Sequence, residues 1–452
     1  MSLRLLFDHN AAYVPIDAIS ADIDRAPEMV TIYPALDRLK AFHERLLSTS
    51  INDLIGLCDA IAKAWSNSLK FASISLIPEI GFLPLWMRKN NLMDFCSLSL
   101  RGEVASLDTF VSLGNDQQMY RAHPRGTVVH WFSGNTPVVG MLGLLQSFLC
   151  KNLNIVKVSH ANAGIIPALL EAFASVEYIN PDGKRIPGTL LSNTVLVVYT
   201  DHEEKNASTL SLAADVRIVW GGREAVKSIV NLPHQYGVQD IIFGHKTSFV
   251  IVGAEYLFEE SARSIANAIA QDTIAFDQRG CNSPHTIFVE EGGAISPETF
   301  AGYLAHALQN ATLSRPLRHV EPKDCMDVLT VRARYAMEGT AYFSSDIRWA
   351  VVYNAEDVGI ATPCYNRTLF VRPIQDVFDV VPFCSSYTQT AGLAVTTRRL
   401  ILANALTAHG VERCPQVGSM RMYETPWDGM FLMDRLVRWV SVAHPHIVWK
   451  EL

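Results

Sequence analysis

Gly126-Thr127-Val128-Val129-His130-Trp131-Phe132-Ser133-Gly134-Asn135-Thr136-Pro137 passes from a strand pattern into the first turn of a helix. The run from Thr127 to Trp131 is β-branched and aromatic, as a strand requires. Pro137 suits the first helical position, where a missing N–H breaks no hydrogen bond. Three similar units follow. Asn154 to Val158 reads as a strand, and Ile165 to Phe173 carries helical periodicity. Thr194 to Tyr199 is a third strand, followed by a polar helix around Glu203 to Ala214. Val216 to Trp220 is a fourth, ending in Gly221-Gly222 and a helix through Ala225, Ile229 and Val230. Strands this apolar, alternating with helices, specify a parallel sheet covered on both faces. Ligands of such sheets sit at the carboxyl ends of the strands. Here those ends carry Gly134-Asn135, Lys157-Val158-Ser159-His160, Thr200-Asp201 and Gly221-Gly222, a polar, glycine-rich rim suited to a nucleotide.

Outward from this core, residues 1 to about 120 read as mostly helical, with few strand signals. The mixed segment Ile241 to Lys246 and then Ser248 to Val252 leads to a helix over Ala262 to Ile274 and to a second α/β unit. The resulting division is residues 1–255, helical and then dinucleotide-binding, residues 256–405, and a C-terminal segment 406–452. That last segment is aromatic and Met-rich between Gln416 and Trp439, and is expected to pack back on the body or on a second subunit. A chain of 452 residues outgrows a single core, so more than one domain is the default.

Composition narrows the class. Hydrophobic content of 49% and charged content of 18% describe a packed protein, not a disordered one. A net charge of -7 without Lys/Arg runs argues against a nucleic-acid partner. Eight cysteines without a CxxC form neither a disulfide framework nor a zinc site, so no metal is expected and a reducing, cytoplasmic home follows. No signal peptide is recognisable, and Pro137 to Cys150 is too short to span a bilayer.

Cys281 carries the chemistry. It lies in Arg279-Gly280-Cys281-Asn282-Ser283-Pro284, between a helical pattern and the strand-like Thr286 to Val289, where a thiol is better placed to face a cleft than to fill a core. A nearby cation or converging N–H groups are expected to favour its thiolate. Asn135 either caps the helix begun by Pro137 or donates its NH2 to an oxyanion, and both roles can hold at once. Lys157 at a strand end either holds a ribose or phosphate or snorkels to solvent. The turn Gly221-Gly222-Arg223-Glu224-Ala225 is either a phosphate-approach turn or purely structural, and the fingerprint GxGxxG is absent.

These segments together resemble a known superfamily. Pro124-Arg125-Gly126-Thr127-Val128-Val129 with Gly134-Asn135-Thr136-Pro137, Lys157, Gly221 with Glu224, and Gly280-Cys281 are similar to ordered motifs of the aldehyde dehydrogenases. Trp220 to Ala225, Phe243-Gly244-His245-Lys246, Arg279 to Pro284 and Pro426-Trp427-Asp428-Gly429 resemble the LuxC-type acyl-CoA reductases more closely, from about residue 100 to the C-terminus. The resemblance implies two α/β lobes, each with a largely parallel sheet covered by helices, and an active site in the cleft between them. It implies Cys281 as nucleophile, Asn135 and the Cys281 N–H as oxyanion donors, and a cofactor held by Lys157, Ser159, His160, Gly221, Gly222 and Glu224. Homo-oligomers are usual in the superfamily.

Two departures shape the expected reaction. Ile242 stands where hydrolysing members place a water-activating Glu, and the Glu that grips the nicotinamide ribose has no match near Val377-Phe378-Asp379. Losing such a base removes rate help of ~100- to 10,000-fold, so an acyl-enzyme here survives to receive hydride. The expected activity is NADPH-dependent reduction of an acyl-CoA or acyl-protein thioester to an aldehyde through S-acyl-Cys281. NADPH is expected because Val158-Ser159-His160 leaves room for a 2′-phosphate where NAD sites carry an acid. His245 is either a proton shuttle or a structural imidazole. Three alternatives stay open: an NAD(P)-dependent aldehyde dehydrogenase, an acyl-accepting subunit fed by an acyl-protein synthetase, and a non-catalytic dinucleotide-binding scaffold.

Overall fold

The computed structural model describes residues 3–9, 23, 28–29, 31–65, 71–72, 74, 77, 80–114, 117–134, 137–200, 204–317, 320 and 322–444. The chain forms two units: Met1–Gly244 with Glu424–Pro426 and Met430–Leu452, and His245–Tyr423 with Trp427–Gly429.

The first unit is built on a seven-stranded sheet. Its spatial order is Gln239–Phe243, Val216–Trp220, Thr127–Trp131, Leu153–Val158, Val195–Tyr199, Leu3–Phe7 and Glu28–Met29. The first five strands are mutually parallel, and the last two are added antiparallel. The chain therefore runs outward in one direction from Thr127–Trp131 and later in the other from Val216–Trp220. The reversal leaves a crevice at the carboxyl ends of these two neighbours. Leu3–Phe7 is a strand that the sequence did not announce. Leu3-Arg4-Leu5-Leu6-Phe7 is a short apolar run without period, which only a sheet edge turns into a strand. The remaining N-terminal elements are helical, at Tyr33–Leu47, Ile51–Trp65, Phe82–Trp86 and Lys89–Ser99.

Helix Pro137–Leu149 is almost wholly buried against this sheet. Gly140 permits that closeness, since a Cβ there would come within 2.5 Å of the Phe132 ring. On the same side, His130 in the central strand donates from Nε2 to Asn154 Oδ1 at 2.9 Å. Burial pushes its imidazole down to about 4 from the ordinary 6.5. The folded state thus keeps His130 neutral where the unfolded chain would protonate it, so stability is whole above pH 6.5 and falls on acidification towards pH 4. Its share of the loss at that point is roughly 3 kcal/mol. We expect His130→Asn to flatten the acid limb of a urea-unfolding profile by close to one proton; an unchanged slope would contradict this.

The strand Val437–Ala443 pairs antiparallel with Gln118–Pro124, Trp439 opposite Ala122, so the C-terminal stretch completes the first unit.

The second unit carries a six-stranded sheet in the order Thr340–Phe343, Ala350–Tyr353, Thr368–Ile374, Pro284–Glu290, Thr247–Val252 and Thr388–Ala394. All neighbours are parallel except the first pair. Alternation along Thr247–Val252 sends Val250 and Val252 to helices Glu259–Ile274 and Pro297–Ser314. Phe249 and Ile251 face the opposite layer, with Leu402 and Leu406 of helix Arg399–Ala408. Among the described residues no helix is long and apolar enough to cross a membrane.

Candidate active site

In the second unit, helix Glu259–Ile274 gives way to a turn in which Phe276, Asp277 and Gln278 have φ of 54°, 50° and 62°. Three consecutive non-glycine residues in the left-handed region cost energy and need outside support. A second such triplet supplies it: Tyr365, Asn366 and Arg367, with φ of 58°, 48° and 53°. The fully buried Arg367 side chain reaches the Asp277 carboxylate and donates to Arg315 O at 2.7 Å. Gln278 donates to Thr368 O at 2.8 Å and to Pro284 O at 2.9 Å, while its Oε1 accepts from Thr368 N at 2.9 Å. Arg279 next pairs with Asp324 at 2.6 Å.

The braced turn delivers Cys281 partly exposed. Its carbonyl accepts from Ser248 Oγ at 2.6 Å, and Asn282 Nδ2 donates to Met420 O at 2.8 Å, so the backbone is clamped on both sides of the sulfur. Around it lie Lys246, whose Nζ is 3.1 Å from Glu412 and 3.6 Å from Asp428, and Arg413. The expected cations are present, yet they do not win. Burial pushes the Cys281 thiol up to about 12 and Asp428 adds to the rise, while Arg413 and Lys246 only oppose it. Against the expectation of a ready thiolate, desolvation outweighs the two cations. His245 is exposed. The buried His285, four positions after Cys281, is pushed down to about 3 by burial and then by His245.

The first unit gathers the cofactor candidates on the carboxyl rim of its sheet. Lys157 ends strand Leu153–Val158 half-buried, and burial lowers its ammonium below the ordinary value. Ser159 Oγ is buried and has no hydrogen-bond partner among the described residues. A Cβ on Gly134 would lie 3.3 Å from that oxygen, so the glycine keeps it approachable. Asn162 donates to Ser133 O at 2.8 Å, fastening the two strand-end loops together. His160 is exposed in a short 3-10 turn. Gly222 caps helix Arg223–Val230 in extended conformation, Gly221 N donates to Phe243 O, and Glu224 sits exposed in the first helical turn. Asn135 lies outside the described residues.

The model of the acyl-CoA reductase (LuxC) family matches residues 46–439. The chain belongs to that family. It is similar to long-chain acyl-protein thioester reductase 2 of Photobacterium leiognathi, 26% identical over 419 residues, 88% of this chain and 83% of the relative. The long-chain acyl-protein thioester reductase of Vibrio harveyi is 25% identical over 428 residues, 89% and 85% of the two chains. Among solved structures, HpcC of Thermus thermophilus superposes with a TM-score of 0.65 at 13% identity, covering 100% of this chain and 94% of that one. Proline utilization A of Bradyrhizobium japonicum gives 0.63 at 13% identity, over 91% of this chain and 44% of its own. The fold is that of the aldehyde dehydrogenases.

In this LuxC family member, Ile242 and the segment Val377-Phe378-Asp379 are where the sequence lacks the two carboxylates. Ile242 sits on strand Gln239–Phe243, 38% exposed and without a charge to offer. Asp379 is engaged in a capping box, its Oδ2 accepting from Asp376 N at 2.9 Å and Gln375 N at 3.1 Å, which leaves it employed in the turn. The residues that sequence reasoning did not assign are Asp428, Lys246, Arg413 and His285. Trp427-Asp428-Gly429 stood in the motif Pro426 to Gly429, but nothing in its spacing shows that it returns to the unit of Cys281.

Proposed function

We propose that this chain reduces an acyl thioester to the aldehyde, with NADPH as reductant and a covalent S-acyl-Cys281 intermediate. The observation that carries this reading is Cys281, held partly exposed on a doubly braced turn in a LuxC family chain whose water-activating position is Ile242. The thiol of Cys281 loses its proton as sulfur attacks the thioester carbonyl. Asn135 and the Cys281 N–H hold the resulting oxyanion, and the leaving thiolate takes up the proton. NADPH bound along the rim would supply the hydride that the acyl carbon accepts. The Cys281 sulfur then departs from that carbon as the aldehyde forms, and His245 carries the proton that restores the thiol. With no carboxylate at position 242, water has no base to help it intercept the acyl group.

Ser159 Oγ, Lys157 and the glycine-capped helix fit a phosphorylated ribose: a buried hydroxyl without a partner among the described residues, a half-buried cation and the backbone N–H groups of a helix N-terminus. We expect turnover with NADPH to exceed that with NADH by tenfold or more (about 1.4 kcal/mol of discrimination); steady-state rates with each donor decide this, and a preference for NADH would reverse the assignment.

The relatives' names favour an acyl-protein thioester as donor; delivery by an acyl-protein synthetase in the cytoplasm is part of the proposal. NADPH consumption across short to long acyl-CoAs, with Cys281→Ala as control, tests the whole reading. Cysteine-dependent consumption with aldehyde product supports it. Acylation of Cys281 without turnover indicates a partner-fed enzyme, and the absence of both acylation and turnover rejects the reading.

A further inference from the structure

Asp428 is a buried carboxylate that no step above uses. Its side chain is only 4% exposed, and Oδ1 accepts no hydrogen bond among the described residues, with Lys246 Nζ 3.6 Å away. The backbone is built to hold it there. Asp428 has φ 48° and Gly429 φ 70°, and a Cβ on Gly429 would come 2.9 Å from Glu412 Oε2, so only glycine fits after it. Before it, Trp427 is buried and stacked on Tyr423 at 4.7 Å, with the Arg413 guanidinium 4.6 Å above its ring.

The same groups surround Cys281. Arg413 and Asn282, the neighbour of Cys281, converge on Met420 O. Lys246 precedes by two residues Ser248, whose hydroxyl holds the Cys281 carbonyl. Asp428 acts on the thiol through space, raising its pKa. Burial in turn pushes the Asp428 carboxyl above the usual carboxylate range, with Lys246 and a hydrogen bond from Gln389 opposing and Glu412 adding. A buried carboxylate with an oxygen that accepts no hydrogen bond among the described residues, sharing Lys246 and Arg413 as neighbours with a thiol that must be deprotonated, has the properties of a general base.

We propose that Asp428 accepts the Cys281 thiol proton, directly or across one water, as sulfur bonds to the acyl carbon, and returns it to the departing thiolate. This rests on the thioester-reductase reading. One S–H bond and one C–S bond break, one C–S bond and one S–H bond form, and no electrons are gained or lost. Lys246, Glu412 and Arg413 are the other charges around the pair, and Lys246 keeps the carboxylate ionised between turnovers.

Two measurements on Asp428→Asn and Asp428→Glu test this. Acyl transfer to Cys281 is followed by thiol release from an acyl-CoA in a single turnover. The intrinsic reactivity of the thiol is followed by iodoacetamide alkylation of Cys281, read by peptide mass spectrometry. Asp428→Asn is expected to slow acyl transfer by about 100-fold or more. The same variant should speed alkylation at a fixed pH, because a negative charge beside the thiol is gone. Asp428→Glu should recover part of the transfer rate. A merely structural role moves both rates down together, and that result overturns the proposal, as does acyl transfer at the wild-type rate in Asp428→Asn. If wild-type Cys281 takes up no acyl group from any thioester, the thioester reading fails, and unchanged alkylation in Asp428→Asn would then separately remove Asp428 from the thiol.

Discussion

Cys281→Ala is expected to abolish NADPH-linked aldehyde formation, a loss on the order of 10,000-fold or more, comparable with removal of other covalent nucleophiles. The variant retains the rim of Lys157, Ser159 and Gly222 in its own unit, so NADPH binding, measured by fluorescence titration, should be unaffected. It should also fail to gain the mass of an acyl group after incubation with an acyl thioester. Cys58, Cys96 and Cys150 do not substitute, because burial pushes the first two thiols up to about 12 and the third well above its usual value. Cys281 is also pushed up, but it alone of these four is partly exposed and has cations beside it. Substantial reductase activity in Cys281→Ala would remove the covalent mechanism altogether.

Arg367→Met should be the most damaging change away from the chemistry. The Arg367 side chain is wholly buried and joins the two left-handed triplets through Asp277 and Arg315 O. Its removal leaves Asp277, in a strained backbone conformation, without its counter-charge. Breaking one side of a buried ion pair costs ~3–5 kcal/mol, and the partial exposure of Asp277 places this case near the lower end. Urea unfolding should show that loss. Because the triplets set the path into Gly280-Cys281, alkylation of Cys281 should also lose its dependence on a single, ordered environment and become multiphasic. A loss well under 1 kcal/mol would show that Gln278 and Thr368 alone support the turn.

The four parallel strands between Thr127 and Trp220 were legible because each is a short, nearly unbroken apolar run ending at glycine or a polar rim. Burial on both faces produces that pattern and little else does. Cys281 was legible by its position between helix and strand. The left-handed triplets were not, since Phe276-Asp277-Gln278 and Tyr365-Asn366-Arg367 contain no glycine to advertise φ above zero. Hydrogen bonds of Gln278 and Arg367 that reach across some ninety positions help hold them there. The opposing desolvation of the thiol was not legible for a related reason: residue types announce cations, while desolvation depends on how tightly distant segments close around the sulfur. Asp428 and Cys281 stand far apart in the chain, so their shared environment leaves no local trace.

The first unit is interrupted by the second. Residues to Gly244 are made early, but Val437–Ala443, the strand that covers Gln118–Pro124, is made only after the second unit. During synthesis the second unit, nearly continuous from His245 to Tyr423, can finish while the first still waits with a bare ribbon. A stop codon near residue 430 would therefore spare the younger half of the molecule and leave the older half incomplete, a hierarchy of damage opposite to the order of manufacture.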